Sequence, residues 1–160
     1  MAGHAVPSGS DPLPAAAGLR LGVVGARWHQ KLTDVLVARA EAAAAACGVT
    51  DVTTVRVAGS VELPVVAAAL AARCDAVVAL GVVVKGETEH FEMVCRSVTD
   101  GLTRVALDTG VPVGHGVLTV HTDQQAVDRA GLPGSPEDKG YDATVAALDA
   151  AVTVRRLRTG

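Results

Sequence analysis

The feature that most constrains the fold is an apolar run, Ala76–Val84, that ends abruptly at Lys85 and Gly86. A run of this kind is typical of a central parallel strand buried on both faces. Thr88 and His90 follow, so the strand is predicted to turn tightly into a helix. Free backbone N–H groups at such a turn attract anions, and Thr88 can cap the helix. The stretch is therefore either an anion site with an acid/base residue beside it or a strand–helix junction with a surface histidine.

The composition predicts one globular domain. The chain has 160 residues, of which 49% are apolar and 19% are charged, and its net charge is -3. This length can bury a sizeable core, and the charge gives no basic surface for nucleic acid. No apolar run is long enough to span a bilayer, and the N-terminus lacks the pattern of a secretion signal. The three cysteines, Cys47, Cys74 and Cys95, are widely spaced. Together these features favour a cytoplasmic protein.

Strand and helix patterns alternate along most of the chain. Residues 1–17 are rich in Gly, Pro, Ser and Ala, which predicts a flexible N-terminal arm before a single domain at 18–160. Strands are predicted at 19–25, 51–58, 76–84 and 103–107, with a further extended piece at 112–120. Helices are predicted at 29–47, 64–73, 88–100, 123–130 and 137–158. The alternation predicts a three-layer α/β/α sandwich around a doubly wound, flavodoxin-like, four-stranded parallel sheet.

In such sheets, ligands bind outside the carboxyl ends of the strands. The loops at 26–29, 59–64 and 85–90 follow the first three strands, so all three should open on that edge. Trp28 lies in the first loop of a chain with one Trp, one Tyr and one Phe. We interpret Trp28 as a stacking platform for a planar heterocycle, with a lid over the sheet edge as the alternative. Glu62, in the second loop, could accept hydrogen bonds from ligand hydroxyls or complement a helix dipole.

Other polar residues give weaker signals. Arg129 and Lys139 could each reach a phosphate, including one on a neighbouring subunit, but a lone charge is more often solvated. His115 and His121 should lie on the same side of an extended segment. No third ligand has suitable spacing, so no metal site is predicted. Dinucleotide, nucleoside-triphosphate and serine-hydrolase motifs are absent from the sequence.

Seven motifs in fixed order resemble those of lumazine synthases, especially actinobacterial members, over about residues 19–158. They are ARWH (26–29), GSVELP (59–64), VALGVVVKGETEHFE (78–92), GLTRVALD (101–108), GVLT (116–119), AVDRAG (126–131) and EDKG (137–140). The resemblance implies condensation of 5-amino-6-(D-ribitylamino)uracil with 3,4-dihydroxy-2-butanone 4-phosphate. The product would be 6,7-dimethyl-8-ribityllumazine, made in riboflavin biosynthesis without a metal or organic cofactor.

The resemblance also implies roles for individual residues. Trp28 would stack on the pyrimidine, and His90 would transfer protons. The ribityl chain and ring would contact Ser60, Val61, Glu62, Val82, Val83, His115 and Lys139. The phosphate would be bound by Lys85, Gly86, Glu87, Thr88 and Arg129, with Arg129 coming from an adjacent subunit. Sites in this family lie between the subunits of a pentamer whose N-terminal arms join neighbouring sheets. An association with riboflavin synthase is a further expectation.

Two single positions and one short stretch differ from the usual family pattern. His115 stands where an asparagine usually helps to read the pyrimidine, and Glu87 places an acid in the phosphate loop. The residues before the last helix, 134–138, lack the turn common in members that form sixty-subunit shells, which favours a free pentamer. The alternative to the synthase is a non-catalytic flavin- or lumazine-binding member, or a shell-forming member, of the same fold.

Overall fold

The structure, a computed structural model, describes residues 11–160. Four strands and five helices alternate along it. They are β1 (Arg20–Ala26), α1 (Gln30–Ala46), β2 (Asp51–Val57), α2 (Leu63–Ala71), β3 (Ala76–Val84), α3 (His90–Thr109), β4 (Val113–Val120), α4 (Asp123–Arg129) and α5 (Lys139–Thr159). A short 3₁₀ turn, Ser60–Glu62, precedes α2.

The four strands form one parallel sheet in the order β2-β1-β3-β4. The chain steps from β1 outward to β2 and then crosses back to β3 and β4. The order therefore reverses between β1 and β3, which is the position where doubly wound sheets form a crevice at their carboxyl edge. This topology confirms the predicted flavodoxin-like parallel sheet.

Two apolar layers cover the faces of the sheet. On one face, Leu36 of α1 and Leu148 of α5 pack with Leu80 of β3. On the other, Leu63 of α2 and Leu102 of α3 pack with Val77 of β3. Since β3 contributes to both layers, its nearly unbroken apolar sequence has a direct structural cause. The three-layer arrangement was predicted correctly.

The predicted strand at 103–107 is wrong, because these residues continue α3. The buried residues of this helix include Val98, Leu102 and Val105, whose spacing places them on one helical face toward the sheet. Short apolar runs rich in β-branched residues fit either a strand or a buried helix. Here the buried residues are spaced three and four apart, which identifies a helix. The fourth strand is instead β4, where buried and more exposed residues alternate.

The N-terminal boundary can be described only from residue 11 onward. Ala16 is fully buried, and its N–H donates to the carbonyl oxygen of Cys47 at 3.0 Å. The packed part of the chain therefore includes the last residues of the predicted arm. Residues 1–10 lie outside the described part, so the arm at 1–17 and its pairing with another subunit stay predictions. None of the helices between residues 11 and 160 combines the length and apolar character needed to cross a bilayer.

Candidate active site

A cleft of about 280 Å³ opens at the carboxyl ends of β1 and β3, where the strand order reverses. We call it the first cleft. The structure brings together here many of the residues predicted from three separate loops. Its lining comprises Trp28, His29, Ser60, Val61, Val82, Val83, Val84, Gly86, Thr88, His90, Phe91 and Val94.

The loop that carries Trp28 is tied to the end of the neighbouring strand β2. The Arg27 N–H donates to the carbonyl oxygen of Val57 at 2.7 Å, and the Trp28 N–H donates to that of Ala58 at 3.1 Å. His29 then adopts a left-handed conformation, with φ 59°, and turns the chain into α1. The Trp28 side chain remains 66% exposed, so one indole face is available to a ligand.

The loop after β2 is closed by the carboxylate of Glu62. The Glu62 carboxylate accepts a hydrogen bond from the Gly59 N–H at 3.0 Å, and the Glu62 N–H donates to the Gly59 carbonyl at 3.2 Å. Ser60 is only 6% exposed and lies against Gly81 of β3. Glu62 is outside the lining of the first cleft. Its observed role is to shape the loop that presents Ser60 and Val61.

The start of α3 forms the opposite wall of the cleft. The Thr88 hydroxyl accepts a hydrogen bond from the His90 backbone N–H at 3.3 Å, so Thr88 satisfies the first N–H of the helix. The Glu92 N–H already donates to the Glu89 carbonyl oxygen at 3.0 Å, so it is the positive end of the helix dipole that favours an anion here. Lys85 and Glu87 are exposed beside this turn and outside the cleft lining.

His115 and Lys139 lie in a second cleft of about 460 Å³, between β4 and α5. His115 pairs in register with Ala79, whereas the first cleft begins at Val82 of the same strand β3. At about 3.3 Å per residue, roughly 10 Å of strand separates the two levels within one protomer. One chain therefore does not bring His115 and Lys139 together with Trp28 and His90.

Two side chains in the second cleft have altered pKa values. His115 keeps contact with solvent, but the surrounding atoms displace part of its hydration and lower its pKa. Burial raises the pKa of the Asp142 carboxyl, and the negative charge of Asp138 raises it further, against the opposing effect of Lys139. The cleft thus favours a neutral imidazole and places a cation beside a carboxyl group.

Arg129, the last residue of α4, lies outside the lining of both clefts. Its Nη1 donates to the carbonyl oxygen of Gln125 at 2.9 Å, and its Nε is 3.8 Å from Oε2 of Glu137. The Arg129 side chain is 33% exposed. It is held in a fixed orientation and still has donors for an anion from outside the protomer.

Several lining residues were not predicted. Val94 lies one helical turn after His90, so helical spacing could have identified it. Phe91 borders the same cleft, and its ring meets that of His121 edge-on at 6.0 Å. His29 and Asp142 gave no distinct signal, because a left-handed turn and a cleft between distant elements depend on tertiary structure. Among residues 11–160, no three His, Cys, Asp or Glu side chains converge as a metal site would require.

Comparisons with known proteins identify the family. Residues 18–155 match the family model described as 6,7-dimethyl-8-ribityllumazine synthase. Proteins with this name include one from Salinispora arenicola, 69% identical over 98% of this chain and 93% of the relative. Another, from Frankia casuarinae, is 59% identical over 98% of both chains. A third, from Saccharopolyspora erythraea, is 57% identical over 99% of this chain and 94% of the relative. The chain therefore belongs to the 6,7-dimethyl-8-ribityllumazine synthase family.

Proposed function

We propose that this protein condenses 5-amino-6-(D-ribitylamino)uracil with 3,4-dihydroxy-2-butanone 4-phosphate. The products are 6,7-dimethyl-8-ribityllumazine, phosphate and water, and the reaction belongs to riboflavin biosynthesis. The observation that carries the proposal is the first cleft of a family member, where an exposed indole and an imidazole border one cavity. We place the reaction in the cytoplasm, following the sequence features described above.

The first cleft suits both substrates. Trp28 is proposed to stack on the pyrimidine, while Val82 and Val83 contact the ring edge-on from the sheet. Ser60 and Val61 would hold the ribityl chain, and Glu62 would support them through its hydrogen bond to Gly59. On the facing wall, the α3 turn would bind the butanone phosphate. That turn contains Lys85, Gly86, Glu87 and Thr88.

His90 is proposed to move the protons. In the expected sequence, an amine of the pyrimidine attacks the ketone, and loss of water gives a Schiff base. Phosphate then leaves by elimination as a proton is lost from the adjacent carbon, and the second amine closes the ring. Each step gives or takes a proton, and an imidazole ring can both donate and accept one. Much of the acceleration should come from holding the two substrates together.

The complete site is proposed to form between subunits of a homopentamer. His115 and Lys139 of one subunit would complete the pyrimidine site in the first cleft of the next, and Arg129 would reach its phosphate. This arrangement accounts for the separation of the two clefts within one chain. Subunit contacts are also supported by large apolar side chains that remain exposed on the helices, namely Val65 (70%), Met93 (53%), Leu107 (79%) and Leu157 (78%). Pairing of the N-terminal arm with a neighbour, and association with riboflavin synthase, belong to the same proposal.

The deciding experiment mixes the purified protein with both substrates and follows lumazine absorbance. A rate above that of the uncatalysed reaction is expected. No excess rate would overturn the synthase proposal, and tight flavin binding in its place would favour a non-catalytic member. Sedimentation velocity tests the assembly separately, with a pentamer expected; a sixty-subunit particle or a monomer would contradict it.

A further inference from the structure

Asp138 uses its carboxylate in an unusual way for its position. It directly precedes α5, where an aspartate commonly accepts hydrogen bonds from the first helical N–H groups. Here its side chain makes no such bond. Oδ2 instead accepts a hydrogen bond from Nε of Arg39 on α1 at 2.8 Å. Oδ1 is buried against Gly131 and has no hydrogen-bond partner among residues 11–160.

Arg39 also contacts helix α5, which follows Asp138. Its guanidinium carbon is 5.2 Å from the ring centroid of Tyr141, the chain's single tyrosine, in the first turn of α5. A guanidinium group over an aromatic face is attracted by the ring electrons. The side chain of Arg39 is 38% exposed and that of Asp138 is 29% exposed, so the pair is partly shielded from water. Arg39 therefore connects the middle of α1 to the beginning of α5 at two points.

The loop held by Arg39 is closed on itself. Ala130 and Asp138 form an antiparallel bridge, and the Gly131 N–H donates to the Glu137 carbonyl at 3.1 Å. The Ser135 hydroxyl donates to the Val127 carbonyl oxygen at 2.6 Å. These contacts connect residues 130–138 to one another and to the end of α4. Arg129 immediately precedes this loop and Lys139 immediately follows it, so the position of the loop sets the positions of both side chains.

We propose that Arg39, through Asp138, is a positioning residue that fixes Arg129 and Lys139 for the substrates bound in a neighbouring subunit. This inference rests on the proposed function. A capping aspartate would have stabilised α5 alone, whereas the observed pair joins the loop to α1, which is anchored in the core by Leu36 and Ala40. The direction of the Asp138 side chain thus favours orientation of the loop over helix capping.

The test compares Arg39→Met and Arg39→Lys with the wild-type protein. Arg39→Met keeps an unbranched side chain but removes the charge and the Asp138 hydrogen bond. We expect the KM for the butanone phosphate to rise about tenfold, because a small displacement of a binding group is costly. The KM for the pyrimidine should rise by a smaller factor, because the displaced Lys139 belongs to that site, and kcat should change by less than about threefold. Arg39→Lys restores a charge and should recover part of the lost affinity.

Asp138→Asn and the double variant test whether Arg39 acts through Asp138. In a double-mutant cycle, the double variant should be no worse than Arg39→Met alone, because the interaction is already lost. Arg20→Met is the matched control. It breaks another Arg–Asp pair, Arg20 with Asp75 at 3.4 Å, beside a cleft remote from both substrate clefts. Thermal unfolding of all variants separates loss of fold from loss of position.

The outcomes distinguish this inference from the proposed function. An unchanged KM for the butanone phosphate in Arg39→Met would overturn the positioning role. Equal losses in kcat and both KM values, or the same losses in Arg20→Met, would do so as well, since they indicate general destabilisation. Binding of inorganic phosphate, measured by calorimetry, makes the same comparison without turnover. A wild-type protein that binds phosphate more tightly than Arg39→Met but forms no lumazine would contradict only the proposed function.

Discussion

The indole ring of Trp28 lies directly on Gly59: a Cβ atom at residue 59 would be 2.5 Å from Cε3 and Cζ3 of the ring. The absence of a side chain at Gly59 therefore determines where the most exposed aromatic of the first cleft rests. The Glu62 carboxylate accepts a hydrogen bond from the Gly59 N–H at 3.0 Å and so holds this residue in place. Gly59, which has no side chain, thus sets the position of the proposed stacking surface on Trp28.

Gly59→Ala should displace Trp28 and weaken pyrimidine binding. We expect the KM for the ribitylaminouracil to rise about tenfold, comparable to the loss of a good aromatic contact. Steady-state kinetics with the butanone phosphate at saturation measures this value. Gly18→Ala is the control, because Gly18 has a positive φ but no neighbour within 4 Å of an added Cβ. It should lower stability without changing the KM. An unchanged KM in Gly59→Ala would show that the ring position does not matter for binding.

His90→Ala should slow turnover without abolishing it. We expect kcat to fall about 100-fold, at the low end of the range for general acid–base catalysis, because substrate positioning remains. Single-turnover absorbance measurements at saturating substrates provide the test. Glu89→Ala is the matched control, since Glu89 is exposed in the same turn and its side chain makes no helix-capping bond. Wild-type turnover in His90→Ala would remove the proton-transfer role.

The sheet could be predicted because its signals are local. Ala76–Val84 has no polar residue, and this composition alone indicates a strand covered on both faces. Residues 103–107 fit a strand as well as a helix, because a stretch of five residues with β-branched and apolar side chains is too short to distinguish the two periods. Burial of Val98, Leu102 and Val105 on one face resolves the ambiguity. That information lies in the packing of α3 against the sheet.

The site could be predicted in part for a related reason. Residues after β1, β2 and β3 meet at one edge because parallel strands share a direction, so Trp28, Ser60 and His90 could be associated from sequence. The sequence leaves two roles open for Glu62, a contact with ligand hydroxyls or a complement to a helix dipole, and it does not predict the hydrogen bond that its carboxylate accepts from the Gly59 N–H. The placement of His115 and Lys139 in a second cleft depends on how α5 packs beside β4. No local pattern encodes that contact.

The burial of Leu102 within helix α3 predicts how substitutions at this helix affect stability. Leu102 is 1% exposed, whereas the adjacent Thr103 is exposed. Leu102→Ala should reduce the free energy of unfolding by about 2–5 kcal/mol, because it leaves a cavity between α3 and the sheet. Thr103→Ala, the matched control, should change it by less than about 0.5 kcal/mol. Urea unfolding at fixed protein concentration measures both, and a large loss in Thr103→Ala with none in Leu102→Ala would contradict the packing.

Because His115 lies in the second cleft, we expect its protonation to lower the stability of the folded protein in acid. Loss of hydration lowers the pKa of this imidazole in the folded protein below its unfolded value of about 6.5. The unfolded chain therefore binds the proton more readily, and stability rises with pH across this interval. The contribution of neutral His115 is complete above the unfolded pKa and is lost as pH falls toward the folded pKa. Protonation also adds a positive charge to a cleft that already contains Lys139.

NMR titration of the His115 ring should accordingly give a midpoint below that of histidine in the unfolded chain. His115→Asn removes this signal and supplies a neutral side chain that can still donate and accept hydrogen bonds. The variant should therefore lose the His115 share of acid destabilisation as the pH falls below about 6.5, seen as a smaller drop in thermal stability than in wild type. His121→Asn serves as the comparison histidine outside the second cleft. A His115 midpoint at or above the unfolded value would show that the cleft does not reduce the hydration of the ring.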